Sequence, residues 1–232
     1  MSDDKKVKFF SHGMIERNLP MLMVLTLITV GVSGLVQIVP LFHQHSTTQP
    51  SAGVKPHQPL ELIGRDIYIK EGCVGCHSQQ IRLLNSDVQR YGPYSEAGET
   101  VYDYPFLWGS RRMGPDLARV GGRYSDEWHR VHLRNPRDVV AESNMPAYTW
   151  LQHKSVEGFD VQARMRALNW LGEHHDGKPM YTEEEIEKAP AALVGKTEED
   201  AVVAFLQSLG VGYMNAWRQR DTTAEALSLI HI

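Results

Sequence analysis

Cys73-Val74-Gly75-Cys76-His77 is the stretch on which the interpretation of this 232-residue chain depends. Two thiols three positions apart can each form a thioether with one vinyl group of a haem, and the histidine that follows is placed to bind the iron. The chain has no other cysteine, so the motif uses both thiols. The sequence therefore predicts one covalently bound haem c, attached through Cys73 and Cys76, with His77 as its proximal ligand.

Two other uses of the cysteine pair remain as alternatives. A thioredoxin-like redox pair normally follows a buried strand, whereas Pro59 to Gly72 has the pattern of an amphipathic helix. A zinc site would need two more ligands at close spacing, and no second Cys/His pair lies near the motif. Haem is therefore favoured over both.

Composition narrows the class of protein. The formal net charge of −4 argues against nucleic acid as a partner. The mean hydropathy of −0.35 argues against a protein with many membrane spans. We therefore expect one medium-sized domain outside the membrane, with few additions.

The segment 20–42 is almost entirely apolar and long enough to cross the hydrocarbon core, which takes about 20 helical residues. A cleaved signal peptide is the alternative, but its apolar region would be shorter and followed by a small-residue cleavage site. Lys and Arg precede the segment, and neither follows it before Lys55. The positive-inside rule thus predicts residues 1–19 in the cytoplasm and the remainder outside.

The rest of the chain is predicted to be mainly α-helical with long loops. Residues 43–59 are rich in Ser, Thr, Gln and Pro and predict an extended linker, 60–213 a helical domain, and 214–232 a tail without a recognisable pattern. Helices are expected at 59–72, 126–133, 160–171, 182–188 and 197–209, with Gly172 ending the third of them. The interval 79–109 is irregular apart from a possible helical turn at 81–84.

Two features of the predicted helices bear on packing and ligands. Gly64 costs about 1 kcal/mol relative to alanine in a helix, so it is expected where another helix approaches closely. The apolar face of the last helix is expected to pack against this first helix. His129 and His132 lie three positions apart on another helix, but without a third ligand they are interpreted as surface or partly buried polar residues rather than a metal pair.

A second axial ligand is expected from a loop well downstream of the motif, and methionine with histidine raises the haem potential. Met145 lies in a polar loop before Pro146, and Met113 lies beside Gly114 and Pro115. Met165 falls on an apolar helix face and is interpreted as core. The loop argument leaves both Met145 and Met113 as candidates.

The domain resembles a class I cytochrome c. Gly64-x-x-x-Tyr68 resembles the first helix of that fold, and the helix at 197–209 resembles its last. Gly114-Pro115-Asp116-Leu117 resembles the segment whose proline carbonyl accepts a hydrogen bond from the proximal histidine, which implies a bond between His77 and Pro115. Asn144-Met145-Pro146 resembles the axial-methionine loop, and this likeness favours Met145 over Met113.

A longer likeness is more specific. CVGCHSQQIR, YGPYSEAGE, YDYPFLWGSRRMGPDLARVGGRYSDEWHRVHLRNPRDVV and SNMPAY, after a basic N-terminus and one anchor helix, resemble the mono-haem subunit (CcoO or FixO) of cbb3-type cytochrome c oxidases. The likeness covers roughly residues 5–215. It implies a haem–copper terminal oxidase of the bacterial inner membrane, with the haem domain in the periplasm. The implied partners are the catalytic haem–copper subunit, a di-haem cytochrome c subunit and the lipid bilayer.

The resemblance implies an electron carrier without catalytic residues of its own. Arg111 and Arg112 are candidates to bind the haem propionates because they adjoin the Gly-Pro segment, with Trp108 and Arg123 as further candidates; solvated or intersubunit charge is the alternative. Competing functions are an anchored subunit of a nitric oxide reductase, a free electron shuttle, and an open-site haem peroxidase or gas sensor.

Overall fold

The computed structural model describes residues 12–176 and 178–230. Part of the predicted cytoplasmic segment, residues 1–11, and the end of the predicted tail, residues 231–232, lie outside the described residues. Within them the chain is helical, without a strand, which confirms the predicted fold class. It forms two units, one ending at Thr48 and the other beginning at Gln49, and each is described by itself.

The first unit is built on one long apolar helix. A short helix α1 (His12–Arg17) precedes α2 (Leu19–Ile38). A 3-10 segment (Val39–His43) and a four-residue helix α3 (His45–Thr48) follow α2. Asn18 caps α2, since its side-chain oxygen accepts a hydrogen bond from the Met21 N–H at 3.2 Å. The span Leu19–His43 has 25 residues, a mean hydropathy of 2.3 and no buried part. It is therefore long enough and apolar enough to cross a membrane as a helix.

Seven helices make up the described part of the second unit. They are α4 (Pro59–Lys70), α5 (Asn85–Tyr91), α6 (Asp126–Arg134), α7 (Val161–Asp176), α8 (Glu183–Lys188), α9 (Glu198–Ser208) and α10 (Val211–Ile230). The predicted helices at 59–72, 126–133, 182–188 and 197–209 are each present to within two residues.

The core forms where α4 crosses α9. A Cβ atom at Gly64 would lie 2.5 Å from the Ala201 carbonyl carbon, so the two backbones touch there. Phe205 of α9 is fully buried and meets the Tyr68 ring edge-on at 5.5 Å between centroids. The predicted close approach at Gly64 and the predicted packing of the last helix are both confirmed.

Helix α6 is tied to α9 by an ion pair in which the carboxylate is buried and the arginine is partly exposed. Arg134 donates two hydrogen bonds, from Nε at 2.8 Å and Nη2 at 2.6 Å, to the buried carboxylate of Glu199 at the start of α9. Such a two-bond pair fixes direction as well as distance. At the other end of α6, the Ser125 hydroxyl accepts a hydrogen bond from the Trp128 N–H and caps the helix as predicted.

Two local predictions were wrong. Gly172 does not end α7, which continues to Asp176; a Cβ at this buried glycine would lie 3.1 Å from the Lys178 carbonyl oxygen, so the residue serves close packing. Residues 81–84 form no helical turn, and the helix of this interval instead begins at Asn85. Periodicity cannot distinguish a glycine that ends a helix from one that admits a neighbouring backbone.

The structure also places the predicted linker differently. Its second half belongs to the second unit: the Ser51 N–H donates to the Gly98 carbonyl at 2.9 Å, and His57 is hydrogen-bonded to Asp103 at 3.0 Å. These partners lie more than forty positions away, so composition alone gave no sign of them.

Candidate haem site

The C-x-x-C-H motif begins where α4 ends. Gly72 has φ +75°, a left-handed conformation that favours glycine and turns the chain out of the helix. Cys73 to Gly75 then form a 3-10 turn, closed by a 3.1 Å hydrogen bond from the Cys76 N–H to the Cys73 carbonyl. The His77 N–H donates to the same carbonyl at 2.9 Å. Both cysteines are free and half-buried, on one turn, as attachment to a single haem requires.

Tyr68 links the motif to the core. Its hydroxyl donates a 3.0 Å hydrogen bond to the His77 carbonyl while its ring packs on Phe205. Burial, with the charge of Cys73 as a second cause, raises the pKa of Tyr68, so the hydroxyl stays a donor at any physiological pH. This role of Tyr68 could not be predicted, because a hydroxyl bonded to a backbone oxygen leaves no pattern in a sequence.

A second segment runs alongside the motif and brings Pro115 to it. Gln79 donates its N–H to the Leu107 carbonyl at 3.0 Å, and Gly114 donates its N–H to the Cys76 carbonyl at 3.1 Å. The Ser78 hydroxyl oxygen accepts a further bond from the Gly109 N–H at 3.1 Å. These bonds fix the Gly-Pro segment beside the His77 ring.

The His77 ring has one nitrogen engaged and one available. Nδ1 lies 2.8 Å from the Pro115 carbonyl oxygen, and because a carbonyl can only accept, Nδ1 carries the proton. Nε2 therefore has its lone pair free, which is the tautomer a haem iron needs. The hydrogen bond implied by the cytochrome c resemblance is present.

Gly114 lies against the face of that ring. A Cβ there would lie 2.6 Å from Nδ1 and 2.7 Å from Nε2 of His77, and closer still to Cε1. Gly114→Ala is therefore expected to tilt the imidazole and reduce the haem bound per polypeptide severalfold, measured from the pyridine haemochrome spectrum and protein concentration. Gly75→Ala is the matched control, since a Cβ at Gly75 meets nothing within 4 Å. Equal haem content in the two variants would contradict this.

The environment of the Cys73 thiol argues against redox exchange. Burial, followed by the charge of Glu71, raises the pKa of Cys73 to about 11, so this group is a neutral thiol near pH 7. Redox-active cysteines have lowered pKa values instead. No strand precedes the motif anywhere in the described chain, which removes the setting of a thioredoxin-like pair.

The structure separates the two methionine candidates. Met145 is half-buried and packs against the core cluster that Cys73, Val74 and Leu117 also touch. Met113 is 74% exposed. A thioether that closes an iron site has to be shielded from water, so the surroundings favour Met145.

The two arginine candidates differ in their engagement. Arg111 is exposed. Arg112 Nη1 lies 3.0 Å from an Asp87 oxygen, and its Nη2 lies 3.5 Å from Asp116 and donates to the Gln80 carbonyl at 2.6 Å. Arg112 is thus already part of a network that holds the loop after the motif. A role of Arg111 in propionate binding stays a prediction. For Arg112 to bind a propionate, it would have to do so while also keeping its contacts in this network.

The residues present fit one haem, with Cys73, Cys76, His77 and Met145 as the groups that would hold it. A helical domain with one such motif, in a chain that also has one helix long and apolar enough to cross a membrane, is what a membrane-anchored mono-haem cytochrome requires. The family model of the mono-haem subunit of cytochrome c oxidase, FixO, matches residues 12–213. The chain belongs to this family, as the sequence resemblance had indicated. A search of curated proteins gave no match.

Membership of the FixO family establishes the general function of the protein. The protein is the mono-haem subunit of a cytochrome c oxidase, it carries one haem, and it works in electron transport within a complex of oxidase subunits. The apolar helix Leu19–His43 is consistent with a membrane anchor.

Proposed function

We propose that the chain relays electrons inside a cbb3-type oxidase, through one covalently bound haem c, from a di-haem cytochrome c subunit or soluble cytochrome c to the catalytic subunit that reduces dioxygen to water. The observation that carries this proposal is the 2.8 Å bond between His77 Nδ1 and the Pro115 carbonyl, which leaves Nε2 as an iron ligand. When bound, the haem supplies a one-electron ferric–ferrous couple.

The protein's part is to hold ligands and exclude water. Pro115 fixes the tautomer and orientation of His77, and its carbonyl makes the ring a stronger donor. Met145 would supply a second ligand to the iron, and like the half-buried Val74, Leu117 and Tyr148 it packs against the main core. An iron held by two protein ligands would rearrange little on reduction, which suits electron transfer rather than substrate binding.

The topology proposed for the subunit follows from the anchor. Lys and Arg lie before Leu19, and the first Lys or Arg after the span is Lys55. The positive-inside rule then puts the N-terminus in the cytoplasm and the haem domain in the periplasm of a bacterial inner membrane. Arg111, exposed on the segment beside the motif, is proposed to bind a haem propionate.

Replacing both cysteines tests the covalent relay in the purified complex. Cys73→Ala/Cys76→Ala is expected to remove the haem that survives on this subunit in a denaturing gel and to lower dioxygen uptake with reduced cytochrome c at least about tenfold, a loss of about 1.4 kcal/mol or more in transition-state terms. Spectra of the remaining haems check that the complex still assembles. A wild-type complex without copper or without dioxygen uptake would instead favour an anchored subunit of another reductase.

A further inference from the structure

Arg65 is a buried charge on an otherwise apolar face of α4. The residue is 2% exposed, and the other buried residues of this helix are Leu62, Ile63, Gly64, Ile67 and Tyr68. Moving a guanidinium out of water is costly unless partners replace the lost hydration. The partners of Arg65 therefore indicate what α4 has to hold in place.

These partners lie in the segment 103–105. Arg65 Nε lies 3.0 Å from an Asp103 carboxylate oxygen. Its Nη1 donates a hydrogen bond to the Tyr104 carbonyl at 3.2 Å, and its Nη2 donates to the Pro105 carbonyl. A planar guanidinium that reaches a carboxylate and two consecutive carbonyls fixes the direction of the bound segment as well as its distance.

The segment held by α4 also supports the haem motif. Leu107 is buried in the core, and its carbonyl accepts a hydrogen bond from the Gln79 N–H at 3.0 Å. Gly109 donates its N–H to the Ser78 hydroxyl oxygen at 3.1 Å. Ser78 and Gln79 directly follow His77. The same segment is thus bonded to α4 on one side and to the backbone after the proximal ligand on the other.

Further along, this segment carries the carbonyl that faces the proximal ligand. Gly114 donates its N–H to the Cys76 carbonyl at 3.1 Å, and the Pro115 carbonyl lies 2.8 Å from His77 Nδ1. We infer that Arg65 is a positioning residue for the haem: it fixes the segment 104–109 and thereby keeps the Pro115 carbonyl bonded to His77. The inference rests on the proposed function, in which Nε2 of that ring binds the iron.

The test replaces Arg65 with lysine in the haem-loaded full chain in detergent. Arg65→Lys keeps the positive charge, but one ammonium group cannot reach two carbonyls and a carboxylate as a planar guanidinium does. In the ferrous protein, labelled on its histidine nitrogens for NMR, the Nδ1 proton of His77 is expected to exchange with solvent at least about tenfold faster, because its bond to Pro115 opens more often. The haem potential is expected to rise, since an imidazole with a weaker Nδ1 bond donates less to ferric iron.

Arg164→Lys is the matched control, because it makes the same substitution beside the same helix. Arg164, on α7, donates from Nε to the carboxylate of Asp66 at 2.6 Å and from Nη2 to the same group. Asp66 follows Arg65 in α4, but the bonds described for Arg164 do not involve the segment 103–109. The exchange rate of the His77 Nδ1 proton and the haem potential are expected to keep their wild-type values.

An unchanged exchange rate and potential in an R65K protein that carries covalent haem overturn the inference. Faster exchange that the core amides of α7 and α9 share equally overturns it as well, because that result reports a general loss of stability. Where R65K holds no haem, Asp103→Asn takes its place, since it removes the charge that orients Arg65 and is expected to shift both quantities in the same direction. Absence of covalent haem from the wild-type chain would instead overturn the proposed function.

Discussion

Gly64→Ala is expected to destabilise the haem domain by about 3 kcal/mol or more, although alanine is the better helix former by about 1 kcal/mol. The added Cβ would lie 2.5 Å from the carbonyl carbon of Ala201 and 2.9 Å from the Cβ of Phe205, and closer still to the Ala201 carbonyl oxygen. Real Cβ atoms essentially never come within 3.0 Å of another atom, so α4 and α9 must move apart. The obstacle is backbone, which a change of rotamer cannot remove.

The separation would spread to the haem ligands. Tyr68 lies one turn after Gly64, packs on Phe205 and holds the His77 carbonyl at 3.0 Å. Loosening the crossing of α4 and α9 therefore loosens the proximal histidine as well. We expect a lower denaturant midpoint together with a disturbed haem spectrum, both measured on the full chain in detergent.

Gly158→Ala is the matched control, because a Cβ at Gly158 meets nothing within 4 Å. Its free energy of unfolding is expected to change by no more than about 0.5 kcal/mol, as for other surface substitutions. A Gly64→Ala protein as stable as Gly158→Ala would show that α4 and α9 do not cross as closely as described.

Gly64 and Gly172 show how far a sequence pattern can predict the role of a glycine in a helix. Both are glycines inside helical patterns, and both turn out to admit a neighbouring backbone. Gly64 was interpreted correctly because hydrophobic positions continue on both sides of it. Gly172 comes at the end of an apolar pattern, where a helix stop has the same appearance. Local patterns therefore identified five helices of the second unit but missed α5 and α10, and they did not fix every helix end.

The residues of the candidate site also differ in how far the sequence could predict them. Cys73, Cys76 and His77 are contiguous, so local chemistry was enough to propose them. Pro115 could be paired with His77 only through the likeness to cytochromes c, since thirty-eight positions separate them. Contacts between distant segments are what local patterns cannot supply.

Met145→Ala is expected to abolish the iron–methionine charge-transfer band and to lower the haem potential by tens to hundreds of millivolts, within the range of about 0.8 V that axial ligands span. The thioether is a weak donor that favours ferrous iron, so its loss favours the ferric state. An open coordination position also lets the ferrous protein bind carbon monoxide, which the wild type should resist. Absorption spectra, a redox titration and carbon monoxide difference spectra measure these changes.

Met113→Ala is the control that makes the experiment decisive. Both methionines lie in loops beside a proline-containing segment, so sequence position alone hardly separates them. Their surroundings differ: Met113 is 74% exposed, whereas Met145 packs with Leu117 and Cys73 against the core. We expect Met113→Ala to keep the wild-type band and potential. Loss of the band in Met113→Ala alone would assign the sixth ligand to Met113 instead.

The wild-type response to carbon monoxide separates the carrier from a haem enzyme or gas sensor. A peroxidase or sensor keeps one iron position open, so its ferrous form binds carbon monoxide readily and Met145→Ala changes little. In the proposed site the half-buried Met145 would occupy that position, so the wild-type ferrous protein is expected to resist carbon monoxide. Because a closed, six-coordinate iron transfers electrons without binding substrate, resistance to carbon monoxide that Met145→Ala removes is the result that a relay requires.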